Sequence, residues 1–222
     1  MLRRLHRLFG YHVRAADGWI GKVSDLYFED HTWHVRHLVA DTGSWLTGRR
    51  VLIPAHRVGL PNDDEQSIEV GLTRRQIKAC PSVEADPPVY RQREYSNYHL
   101  AYWRPMWGFP ALVIGEVPPV PIRFGASLAE GDPHLRSVRE VASYGLLAAD
   151  GHAGYVRDFL ARTDEWTILH VLVSLIWPHR RSVLVATQWV SDIDWDRRLV
   201  QVDLPADDVR SCTPFSLGPM RL

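Results

Sequence analysis

At 222 residues, with 45% hydrophobic and 23% charged side chains, the chain has the composition of folded globular protein and room for two small cores. Lys and Arg total 26, and so do Asp and Glu, so no global field draws in nucleic acid or an anionic membrane. Two cysteines, Cys80 and Cys212, are too few for a disulfide scaffold and too far apart for a metal knuckle, which makes a reducing cytoplasm the expected compartment.

The first residues, from Leu2 to Gly10, are basic and leucine-rich, as a targeting segment or a membrane-surface helix would be. A repeat argues against both. Asp17-Gly18 returns as Asp150-Gly151, 133 positions later, and at that offset Gly21 meets Gly154, Val23 meets Val156, Asp25 meets Asp158, Trp33 meets Trp166 and His37 meets His170. Upstream, Leu2, Arg3 and Tyr11 meet Leu135, Arg136 and Tyr144. After one deletion the offset is 132, and Val51-Leu52, Val58, Val70 and Cys80 meet Val183-Leu184, Val190, Val202 and Cys212. The N-terminal stretch thus has a mid-chain counterpart and is expected to be the leading segment of its own module. No apolar run is long enough to span a bilayer as a helix.

Each module reads as short strands between turns. Asp17-Gly18 and Asp150-Gly151 suit tight turns, because Gly accepts positive φ. Gly-x-Val-x-Asp opens the next strand, and turns follow at Asp30-His31 and Asp164-Glu165. Trp33 to Val39 and Trp166 to Val173 are predicted as second strands, with the two tryptophans buried as anchors, each in its own module. Arg50 to Ile53, Ser182 to Val185, Ser67 to Val70 and Leu199 to Val202 complete the strand set. A short helix closes each module. Thr73 and Gln76 form a capping box with Leu72 and Ile77 as staple, and Leu204 and Val209 repeat the staple behind Pro205 and Asp207-Asp208. The fold class is mainly β: two small barrels in tandem, each closing on itself and ended by a helix.

The module boundaries are 1–82 and 135–214, with a connector over 83–134 and a tail over 215–222. The connector is rich in Pro and aromatics, including Tyr90, Tyr95, Tyr98, Tyr102, Trp103 and Trp107. Tyr95, Tyr98 and Tyr102 are spaced for one face of a short helix ended by Pro105, a face that packs on the protein's own barrels or docks another subunit.

Several side chains invite a chemical reading. His31, His34 and His37 are spaced by three, but on a strand His34 and His37 point to opposite faces, so no metal site is expected there. His37 and His170 read as buried imidazoles satisfied by backbone. Asp25 and Asp158 read as strand-end hydrogen-bond acceptors, since no nucleophile and base recur beside them. Arg49-Arg50 and Arg180-Arg181 precede equivalent strands and are candidate contacts for an acidic partner. No phosphate loop is present, and no cofactor and no catalytic residue are expected.

The Asp-Gly-x-x-Gly-x-Val-x-Asp run, the Trp eight residues on and the Val-Leu-Ile/Val strand resemble the PRC-barrel family. That family includes the barrel of the photosynthetic reaction-centre H subunit and the C-terminal domain of the ribosome-maturation factor that docks on a small-subunit protein. The connector followed by His134 to Val141 resembles the tandem PRC-barrel proteins of bacteria. The second copy departs at Ser174-Leu175, where the first has Asp41-Thr42. The resemblance implies a barrel fold and says little of function; with no catalytic constellation legible, the expected role is a non-catalytic protein-interaction or assembly module, a scaffold acting through a protein partner or self-association. Two alternatives stay open: a ribonucleoprotein or ribosome-assembly factor, against which the charge balance argues, and a small-ligand binder or enzyme with its site between the barrels.

Overall fold

The computed structural model describes residues 2–89, 132–176 and 181–215. Tyr95, Tyr98, Tyr102, Trp103, Trp107 and Arg180 lie outside these residues. In the first half the strands are β1 (Leu2–Arg4), β2 (His12–Ala15), β3 (Gly18–Glu29), β4 (Val35–Asp41), β5 (Arg50–Pro54), β6 (Val58–Asn62) and β7 (Ser67–Val70), followed by α1 (Arg74–Ala79). The second half has β8 (Leu135–Ser137), α2 (Val138–Val141), β9 (Gly145–Ala148), β10 (Gly151–Arg162), β11 (Thr167–Leu175), β12 (Ser182–Ala186), β13 (Val190–Asp194), β14 (Leu199–Val202), α3 (Ala206–Ser211) and β15 (Thr213–Phe215).

The two sheets share one strand order. The first runs β5-β4-β3-β2-β7-β6, and the second β12-β11-β10-β9-β14-β13, with β15 added beside β12. In both, a single parallel pair, β2 with β7 or β9 with β14, lies among antiparallel neighbours. The protein is mainly β, but the ladders are not closed, contrary to the expectation of self-closing barrels. A three-residue turn, Ala55–Arg57, carries the chain from edge strand β5 to edge strand β6 without folding it back into a hairpin, so those edges do not pair.

The repeated motif has clear local causes. A Cβ on Gly21 would lie 1.9 Å from the Asp41 carbonyl oxygen, and one on Gly154 would lie 2.4 Å from that of Ser174. Only Gly lets the long strand approach its neighbour this closely. Two residues on, the ladder slips between Val23 and Asp25 and between Val156 and Asp158, a bulge that turns both carboxylates inward. The Asp of each Asp-Gly turn does a second job: Asp17 accepts from the N–H of Arg74 and Asp150 from that of Ala206, both at 2.7 Å, tying the turn to the first residue of the closing helix. The Thr73–Gln76 capping box forms as its sequence implies, with Ile77 fully buried.

The leading segments are not where the repeat suggested. β1 does not pair within its own half; it lies antiparallel on β10, with Leu2 opposite Arg162 and Arg4 opposite Leu160. Its counterpart β8 lies antiparallel on β3, with Leu135 opposite Glu29 and Ser137 opposite Tyr27. Subtracting 133 from the arm residue and adding it to the strand residue converts each pairing of the second set into one of the first, so the halves exchange arms about an approximate two-fold. The axis passes near the single bridge between His34 and Thr167, themselves 133 apart. Around it Val35 N–H donates to the Trp166 carbonyl and Ile168 N–H to that of Trp33, both at 2.8 Å.

Burial explains the exchange. The arms bring Leu5 and Leu8, and Val138 and Val141, into one apolar cluster that runs through both halves. Phe28 of one sheet meets Phe159 of the other at a centroid distance of 5.3 Å.

The tryptophans also depart from expectation. Trp33 and Trp166 precede their strands, in the left-handed region at φ 60° and 52°. Trp33 N–H donates to the Glu29 carbonyl, closing a single tight loop. Trp166 is buried, but its indole N–H donates across the axis to the Val58 carbonyl at 3.2 Å; Trp33 is half-buried and stacks on Phe28.

Candidate functional site

Two features collect polar groups: the clasps that hold the exchanged arms, and a groove on the outside of the first sheet. In the second-half clasp, Asp158 is wholly buried. One oxygen accepts from the N–H of Phe159 at 2.8 Å and of His6 at 2.9 Å; the other accepts from Arg4 Nε at 2.8 Å. In the first-half clasp, Asp25 accepts from the N–H of Leu26 at 2.8 Å and of Arg139 at 3.2 Å, and from the Ser137 hydroxyl at 2.6 Å. Each carboxylate thus reads the backbone of the other half's arm. Burial raises the Asp25 carboxyl above its ordinary value, and the Ser137 hydroxyl and the two N–H donors offset part of that effect. Ser137 is already engaged at the N-terminus of α2, where it accepts from Glu140 N–H at 3.1 Å. No free base stands beside it to make it a nucleophile among the described residues.

The groove is open and encloses about 920 Å³. Trp19 and Trp45 flank it, Lys22, Arg50 and Arg139 supply positive charge, and Asp41 sits on the β4 rim. Trp19 is 52% exposed, an unusual fate for the largest apolar side chain. It is held edge-on to His12 at 5.8 Å, and Arg14 sits 5.6 Å over its ring. Arg74 likewise sits 4.8 Å over Trp45. Arg139 donates to the Ser24 carbonyl, the peptide that the bulge turns out, at 2.7 Å and 3.1 Å. The second half differs at the matching positions. There His152 and Tyr155 replace Trp19 and Lys22, Ser174 replaces Asp41, and Ser182 replaces Arg50.

The basic pairs singled out in the sequence divide. Arg49 donates to the Lys78 and Cys80 carbonyls at 3.2 Å and 3.0 Å, and Arg181 to the Arg210 carbonyl at 2.5 Å, so both cap the end of a closing helix. Arg50 lines the groove. His37 and His170 each leave Nδ1 buried without a hydrogen-bond partner among the described residues, where backbone acceptors had been expected. Burial lowers the His37 pKa accordingly. Cys80 and Cys212 are free and half-buried, and burial raises both thiols, which makes them poor nucleophiles.

Sequence reasoning missed the groove, although an unpaired Trp on a half-polar strand marks it. It also missed a histidine pair. His31 does not meet His34 or His37; it meets His134, with the two Nε2 atoms 3.2 Å apart and Asp30 alongside. No helix among the described residues is long and apolar enough to cross a membrane. No curated protein matches the chain. Residues 2–71, which carry the exchanged arm β1, the Gly-x-Val-x-Asp bulge and strands β2 to β7, match the PRC-barrel domain family.

Proposed function

We propose that the chain is a non-catalytic assembly module. Two PRC-type barrels in tandem lock together by exchanging arms, and the first presents its groove to a protein partner. The observation that carries this reading is the groove itself: two indoles and three cations on one face, of which Trp19, Lys22 and Arg50 are replaced by His152, Tyr155 and Ser182 in the other half. Indole and guanidinium groups provide most binding energy at protein interfaces, and the cations favour an acidic partner segment. A scaffold role is further supported by the fate of the repeated carboxylates, since Asp25 and Asp158 are both occupied in holding the arms. A cytoplasmic location, favoured by two unpaired cysteines, is part of the same proposal.

The test is affinity capture from native cells, followed by cross-linking and mass spectrometry, with the wild-type chain and a Trp19→Ala/Lys22→Glu variant. Both side chains are exposed, so the variant should fold normally. The expected result is a partner cross-linked near the first-sheet groove that the variant loses. Equal recovery of the same partners by both chains would contradict the reading.

A further inference from the structure

We propose that His31 and His134 form an open two-nitrogen site for Zn²⁺ or a similar transition-metal cation, with Asp30 orienting His134 from behind and water completing the shell. The two imidazoles come from opposite sides of the exchange. His31 stands in the β3–β4 turn of the first half, and His134 is the residue before β8, the arm that the second half lays on the first. Their Nε2 atoms are 3.2 Å apart. Two nitrogen ligands at about 2.0–2.1 Å from one tetrahedral zinc stand roughly 3.3 Å apart, close to the observed nitrogen separation. The ring centroids are only 3.8 Å apart, so the exposed His31 ring must turn outward for both lone pairs to converge on one ion.

The surroundings fix which lone pairs are offered. His134 Nδ1 lies 3.1 Å from Asp30 Oδ1. A carboxylate can only accept there, so Nδ1 carries the proton and Nε2 turns its lone pair toward His31 Nε2, as the acceptor of the contact between them. Asp30 is itself fixed: it is mostly buried, and its other oxygen accepts from Arg136 Nε at 2.7 Å and Nη2 at 2.6 Å. A carboxylate held behind a ligating imidazole is the usual means of orienting it and raising its donor strength. The backbone around His134 is equally constrained. Its N–H donates to Asp132 Oδ1 at 2.9 Å, its carbonyl accepts from Asp30 N–H at 3.1 Å, and Asp132 is ion-paired with Arg36. His31 is 67% exposed, which gives an ion access and leaves room for water ligands. The second half cannot copy the site, because Thr163 and Asp164 stand where Asp30 and His31 do.

An ion bound here would bridge the turn of one half to the arm of the other, adding to the grip at the point where the chain returns. Binding to the folded chain alone raises its stability with ion concentration. The test uses the full chain without a polyhistidine tag, freed of metal by chelator dialysis and titrated with ZnCl₂ by calorimetry, with thermal melts alongside. The expected result is one zinc per chain and a melting temperature that rises with zinc. His31→Ala and His134→Ala should each lower the affinity at least tenfold and remove the rise, while His34→Ala, an exposed neighbour outside the cluster, should change neither. Melts in the absence of zinc confirm that each variant is folded. Absence of zinc uptake by the wild-type chain would overturn the proposal, as would uptake that survives both the His31→Ala and the His134→Ala substitution.

Discussion

Asp25 and Asp158 occupy the same place in the two halves and accept the same pair of backbone donors, yet their third partners differ. Asp158 meets the Arg4 guanidinium, whereas Asp25 meets the neutral Ser137 hydroxyl. The arms are therefore gripped in unlike ways: one by an ion pair whose carboxylate is wholly buried, the other by a carboxylate that burial pushes toward its neutral form. The difference extends outward. The half with the neutral clasp carries the cationic, indole-lined groove, whereas His152, Tyr155 and Ser182 stand at the positions of Trp19, Lys22 and Arg50 in the half with the ion pair. The two halves share one strand order but not the side chains on their outer faces.

The largest expected effect tests the tryptophans at the axis. Trp166→Ala should cost about 4 kcal/mol, because the side chain is buried and bonded across the two halves, while Trp33→Ala should cost about 2 kcal/mol, being half-buried. Denaturant unfolding of the two variants measures both, and equal losses would remove the asymmetry. Next come the clasps. Asp158→Asn turns an amide donor toward Arg4 and should cost about 3 kcal/mol. Asp25→Asn can keep its backbone bonds, and the Ser137 hydroxyl can reverse its role, so the change should stay within about 1 kcal/mol.

The smallest effect is a pH dependence. The Asp25 carboxyl is raised in the folded chain above its ordinary 3.8, so the native state binds this proton more tightly than the unfolded state does. Its contribution is complete below the unfolded value and is lost as pH rises through the folded one. Relative to Asp25→Asn, the wild type should thus lose stability as pH rises above about 4, a trend that stability curves at several pH values would show. The opposite slope would mean that the clasp favours the ionised carboxylate.

Much of this architecture was legible in the residues. The Asp-Gly turns, the close-approach Gly21 and Gly154, and the Thr73–Gln76 box act through neighbours in sequence, and local chemistry determines them. The exchange was not legible, for a physical reason: β3 and β10 are copies, so the pattern of Leu2-Arg3-Arg4 fits either strand, and only the packing of Leu5 and Leu8 across the halves decides. Trp33 misled because a β-branched, aromatic run reads as strand, while the tight turn at Glu29 forces it into the left-handed region. His31 and His134 are 103 residues apart, and no local spacing announces their meeting.

The exchange of arms is the claim on which the rest depends, and cutting the connector tests it most directly. A protease site placed within residues 90–131 and an affinity tag at the C-terminus would allow the folded chain to be cleaved and then captured through its second half. If each half grips the other's arm, the untagged first half should stay on the resin through native washes and leave only in denaturant. Release of a folded first half by the native wash alone would show that each half keeps its own arm, and would contradict the account.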